Sequence, residues 1–182
     1  MDFVCLFVFC PWKQKEVAKI LHETKREESE NTSISEPVAI IPGLLFLSSF
    51  HAASKIPVLK YHKITHVVRL CPEMLQDWTR ESPDIKYTAI SARDYETYDI
   101  MQHLDTVLGV MAEAAKSNTA VLVHCFAGVN RSGTLVTAAY MKHTRTPLFE
   151  AVRYVKSKRD VLMENEGFQR QLVVWASKEG LL

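Results

Sequence analysis

The sequence predicts an α/β domain with a central, mostly parallel sheet of about four to five strands and helices on both faces. Three observations carry this. Short apolar runs of strand length alternate along the chain with longer segments of helical periodicity. One run, Val121–His124, reads as a short strand buried on both sides, the pattern of a parallel sheet. The length, 182 residues with 47% hydrophobic and 24% charged content, suits one domain with a sizeable core.

The first ten residues, MDFVCLFVFC, are apolar but far short of the ~20 residues that span a bilayer. They lack the basic start and small-residue cleavage site of a signal peptide. A strand or helix start that packs on the domain is preferred over a membrane attachment through acylated Cys5 or Cys10. Trp12 to Glu30 is rich in Lys and Glu, with a thin stripe of Val17, Ile20 and Leu21. That suits an exposed helix able to contact a partner or a second copy of the chain as a homodimer. Glu30–Glu36 is a polar linker, so residues 1–36 form an extension and 37–182 the main domain.

Val38–Ile41 and Leu44–Leu47 flank the turn dipeptide Pro42-Gly43 and predict a hairpin. Thr65–Leu70 and Lys86–Ile90 predict two further strands. A helix follows, with Ile100, Leu104, Val107, Leu108, Met111 and Ala115 on one face, capped by Asp99 with Gln102 three residues on. Thr134–His143 is apolar almost all round and predicts a buried central helix. Thr146 and Pro147 should cap and open the next, to about Lys158; Asn165 should cap the last, Glu166–Lys178.

A formal charge of +1 provides no global field for nucleic acid or an anionic membrane, so any anion site must be local. Four scattered cysteines do not make a disulfide framework, and the seven histidines show no ligand spacing. No metal, no cofactor and a reducing compartment are expected.

The segment His124-Cys125-Phe126-Ala127-Gly128-Val129-Asn130-Arg131-Ser132-Gly133-Thr134 lies between the buried strand and the buried helix. Ligands bind at the carboxyl ends of parallel strands and anions at helix N-termini. A loop of this length can turn the backbone N–H groups of Phe126, Ala127, Gly128, Val129, Asn130 and Arg131 inward as an anion nest. None of these is proline, and Gly128 can take a positive φ. Arg131 can offer parallel N–H bonds to phosphoryl oxygens. Such donors favour the thiolate of Cys125, the nucleophilic form. A purely structural reading leaves this donor-rich turn between two core elements unexplained.

HCFAGVNRSGT resembles the H-C-x-x-G-x-x-R-S signature of the protein tyrosine phosphatase superfamily. From about Val38 to Leu172 the chain resembles the small dual-specificity phosphatases, through PGLLFLS, KYHKITHVV and NEGF besides the loop. The resemblance implies a protein tyrosine phosphatase-like fold and hydrolysis of phosphotyrosine and phosphoserine or phosphothreonine in phosphoproteins, through a cysteinyl-phosphate. It implies Cys125 as nucleophile, Asp94 on the Ser91–Asp94 loop as proton donor, and Ser132 as a donor to the Cys125 sulfur. His124 would orient the loop, while Asn130 and Gly128 hold its shape. Glu96 is the fallback acid. Cys71 is a candidate reversible disulfide partner of Cys125, with a buried apolar role as the alternative. The acid loop lacks the Trp-Pro-Asp of tyrosine-specific enzymes, which implies a shallower site. No lysine lies in Phe126–Asn130, which disfavours phosphoinositides, and the neutral charge speaks against an RNA 5′-phosphate. Two other classes stand beside this reading: a phosphate-binding pseudophosphatase, and a rhodanese-type sulfurtransferase. The expected location is cytoplasmic, with access to the nucleus.

Overall fold

A computed structural model describes residues 11–23, 36–71 and 82–182. The apolar start at 1–10, the second half of the expected first helix from 24 on, and the Glu30–Glu36 linker except Glu36 lie outside the described residues. Among the described residues the sheet has five strands: β1 Val38–Ile41, β2 Leu45–Ser49, β3 Ile64–Arg69, β4 Lys86–Ala89 and β5 Ala120–Cys125. Their order is β1-β2-β5-β3-β4; β1 and β2 form the expected antiparallel hairpin, and every other pairing is parallel.

The α-helices around it, again among the described residues, are α1 Pro11–His22, α2 Phe50–Ala53, α3 Ile56–Tyr61, α4 Leu104–Lys116, α5 Arg131–Thr144, α6 Leu148–Lys158 and α7 Glu166–Lys178. Strand side chains alternate between the two faces. Leu45, Leu47, Val121 and Val123 pack with α1 and α4–α7 in the larger core, while Phe46, Leu122 and Val67 meet Ala53 and Leu59 of α2 and α3 in the smaller one. All six residues of β5 are buried, as its unbroken apolar run anticipates.

Parallel pairing brings several strand ends to one edge. Ser49 of β2 pairs with Cys125, and Arg69 of β3 pairs with His124 and with Ala89 of β4. The connections that leave these ends therefore converge there, among them the Cys125 loop after β5 and the Asp94 loop after β4.

Several local expectations are corrected. Helix α5 begins at Arg131 rather than Thr134, so Arg131 and Ser132 occupy its first turn. Helix α6 begins at Leu148; Pro147 precedes it in an extended conformation and no side chain caps it. Thr146 Oγ1 turns instead to Thr144 Oγ1 at 2.7 Å, and the Leu148 N–H finds Leu181 O at 2.7 Å. Asp99 does accept from the Gln102 N–H at 3.3 Å, but the first turn is a 3₁₀ turn, Met101–His103. The α4 stripe ends on buried Ala114, with Ala115 exposed.

Helix α1 also departs from expectation. Val17, Ile20 and Leu21 are buried, and α1 lies against α6 and α7. Glu16 pairs with Arg153 at 3.7 Å, and Gln14 Nε2 donates to Glu166 O at 3.3 Å. The stripe is covered within the chain and is not exposed.

Candidate active site

Cys125 ends β5 with 1% of its surface exposed. Its Sγ receives the Gly128 N–H at 3.3 Å and the Ser132 hydroxyl at 3.2 Å, both donors that stabilise a thiolate. Asn130 and Arg131 join the loop directly to α5, whose positive end faces it.

The carbonyls show how this loop is held. Phe126 O accepts from Phe50 N (3.0 Å), Ala127 O from Arg159 Nη2 (2.7 Å) and Gly128 O from Arg159 Nε (2.9 Å). Val129 O accepts from Met163 N (3.2 Å), and Asn130 O from Thr134 N and Oγ1 (2.9 and 2.8 Å). With every carbonyl from Phe126 to Asn130 tied to surrounding structure, the peptide planes favour N–H groups turned inward, the geometry of an anion nest. Gly128 has φ +72°, and a Cβ there would lie 2.5 Å from Ser48 O. Glycine is required both for that left-handed conformation and for the close approach to β2.

Arg159, which holds two of these carbonyls, is a site residue that the sequence does not signal. Just beyond the end of α6, it carries no motif, and only the fold brings it under the loop. It is 6% exposed, and burial lowers its pKa, an effect opposed by the charge of Cys125.

Arg131 is also buried. Its Nη1 donates to Leu70 O at 3.0 Å and Ala92 O at 3.2 Å, which sets the guanidinium plane and links the loop to the Asp94 segment. His124 is 1% exposed, and its Nδ1 lies 3.3 Å from Cys125 O. Burial chiefly lowers its pKa to about 4; Arg69 and Arg131 push the same way and the Cys125 carbonyl opposes them. His124 is therefore neutral at pH 7 and suited to orienting the strand end. Cys71, fully buried, has its Sγ 4.0 Å from His124 Nδ1.

Asp94 is brought to the same place. Its Oδ1 accepts from Asn165 Nδ2 at 2.9 Å, its Oδ2 from Asn130 Nδ2 at 3.2 Å, and Arg131 Nε lies 3.7 Å from Oδ2. Glu96, the fallback acid, pairs with Arg170 at 2.8 Å. Helix α7 clamps the rest of the segment: Gln171 accepts from the Ile100 N–H at 2.9 Å and donates to Tyr98 O at 2.7 Å. A Cβ on Gly167 would collide with the Glu96 carbonyl group. The NEGF sequence thus supports the Asp94 segment: Asn165 caps α7 through Phe168 N (3.1 Å) and holds Asp94, while Gly167 admits the Glu96 backbone. The cap is legible in the sequence; the contact with Asp94, 71 residues away, is not.

An α/β sheet with a buried thiol beside inward-facing donors, a buried arginine and a neighbouring carboxylate has the make-up to bind a phosphoryl group and attack it through sulfur. The family model described as dual specificity phosphatase, catalytic domain, matches residues 45–178, and the chain belongs to that family. It is 37% identical over 143 residues to dual specificity protein phosphatase Mpk3 of Drosophila melanogaster, covering 78% of this chain but 34% of that one. To dual specificity protein phosphatase 14 of Mus musculus it is 35% identical over 142 residues, covering 78% and 70%. Among solved structures, the human tyrosine phosphatase-like serine/threonine/tyrosine-interacting protein superposes with a TM-score of 0.68 at 28% identity, covering 80% of this chain and 98% of that one.

Proposed function

We propose that this protein hydrolyses phosphotyrosine and phosphoserine or phosphothreonine in phosphoproteins, with Cys125 as nucleophile. The observation that carries the reading is a buried Cys125 Sγ facing the Gly128 N–H and Ser132 hydroxyl, in a loop whose carbonyls are tied back. The thiolate attacks phosphorus, forming an S–P bond as the bond to the leaving oxygen breaks. Asp94 gives that oxygen its proton. Water then attacks phosphorus, Asp94 takes up a proton from it, and the S–P bond breaks to release phosphate. Ser132 stabilises the departing thiolate, and Arg131 with the loop N–H groups balances the phosphoryl charge. Phe126 and Tyr95, 57% and 61% exposed, add aromatic surface from the two loops. Because the nucleophile must stay reduced, the proposal includes a cytoplasmic or nuclear setting.

The test is release of phosphate from phosphotyrosyl and phosphothreonyl peptides by wild type, Cys125→Ser and Asp94→Ala. Cys125→Ser should be inactive, and Asp94→Ala should lose about 10²–10⁴-fold. Likeness to a protein named phosphatase-like and interacting keeps a second outcome in view. Wild type that binds vanadate but releases no phosphate would establish a pseudophosphatase instead.

A further inference from the structure

Asn130 occupies the N-cap position of α5, where asparagine is favoured because its side chain can accept a first-turn N–H. Here it makes no capping bond. Its side chain turns the other way, accepting the backbone N–H of Asn165 at Oδ1 (3.1 Å) and donating from Nδ2 to Asp94 Oδ2 (3.2 Å). The Asn165 N–H can only donate, so it fixes the amide oxygen on that side and leaves Nδ2 to donate to Asp94. Asn165 closes the ring, donating from Nδ2 to Asp94 Oδ1 at 2.9 Å. Each oxygen of Asp94 thus holds one amide donor, one from the phosphate loop and one from the start of α7.

Resting on the phosphatase reading above, we propose that Asn130 is a positioning residue for the general acid. It ties the Asp94 carboxylate to the phosphate loop, so that proton donor and nucleophile keep a fixed separation. The role needs an acceptor and a donor on one planar group. A serine hydroxyl, one bond shorter and with a single proton, cannot reach both partners. The backbone of Asn130 still starts the helix, its carbonyl accepting the Thr134 N–H and hydroxyl, while its side-chain amide faces Asp94 and Asn165 instead of the first turn.

Protonation of the leaving oxygen matters most when that oxygen is basic, which separates acid positioning from damage to the loop. The experiment measures kcat on phenyl phosphate and on 2,4-dinitrophenyl phosphate, with inhibition by vanadate, for wild type, Asn130→Ala and Asn130→Ser. Each substitution is made alone and with Asp94→Ala. Both Asn130 variants should lose about 10–100-fold on phenyl phosphate and less than about threefold on the dinitrophenyl ester, with vanadate inhibition unchanged. In the Asp94→Ala background the Asn130 effect should shrink below about threefold. Equal losses on both esters, undiminished without Asp94 and matched by weaker vanadate inhibition, would overturn the assignment while leaving the phosphatase intact. Wild type inert on both esters would overturn the phosphatase reading itself, and the assignment with it.

Discussion

The phosphate loop and the acid loop lie together at the carboxyl edge of the sheet, yet they are held by different means. The phosphate loop continues β5 into α5, and its carbonyls are captured by backbone N–H groups, by Thr134 and by the buried Arg159. The acid loop is exposed from Arg93 to Thr97, and it hangs from side chains: those of α7 and its cap, and Asn130 and Arg131 reaching across from the phosphate loop. Asp94 is 31% exposed at its side chain, against 7% for Arg131. On the proposed mechanism, anion binding falls to a buried, densely hydrogen-bonded loop, whereas proton transfer depends on a few exposed polar contacts. Damage to the first should cost binding and chemistry together; damage to the second should cost chemistry alone.

The largest expected break in that contrast is Arg159→Met, which keeps bulk but removes both carbonyl clamps at Ala127 and Gly128. With several loop N–H groups misaligned, kcat/KM should fall by about 10³-fold for good and poor leaving groups alike. Vanadate inhibition should weaken in parallel. Retained vanadate affinity would show that the loop holds its shape without this arginine.

A second prediction concerns stability. His124 has a folded pKa lowered to about 4, whereas an unfolded histidine titrates near 6.5. Its contribution is complete above about pH 6.5 and is lost as pH falls toward 4, because the unfolded chain takes up the proton first. The loss is about 3 kcal/mol, read from urea unfolding between pH 7 and 4. The same series on His124→Gln should show a shallower slope, and an identical slope would remove His124 as its source.

The smallest effect is expected at the acid loop's support. Gly167→Ala must push the Glu96 backbone aside. About a tenfold loss on phenyl phosphate is expected, with vanadate inhibition unchanged. A loss of vanadate inhibition as well would mean the two loops cannot be perturbed separately.

The two regions also differ in how far they can be read from sequence. The phosphate loop is contiguous: strand, turn and helix follow one another, so Cys125, Gly128, Arg131 and Ser132 announce themselves within one short stretch of chain. The hairpin, β5, the buried body of α5 and the Asn165 cap rest on local periodicity and turn chemistry, and they stand where expected. The start of α6 escapes such reasoning because the Leu148 N–H is satisfied by Leu181, a tertiary partner that replaces the local cap. The exposure expected for α1 fails for a similar reason, since a thin apolar stripe does not reveal the surface that covers it.

By itself the sequence determined the α/β class, the thiol-and-arginine loop and, through its family resemblance, the carboxylate about thirty residues before it. Only the tertiary structure decided that Arg159 grips that loop, that Asn130 and Asn165 share Asp94, and that α1 is covered by α6 and α7. The physical reason is range. Turn conformation and strand or helix periodicity are properties of neighbouring residues, whereas these hydrogen bonds and packing contacts join residues dozens of positions apart and exist only once parallel strands bring their ends together.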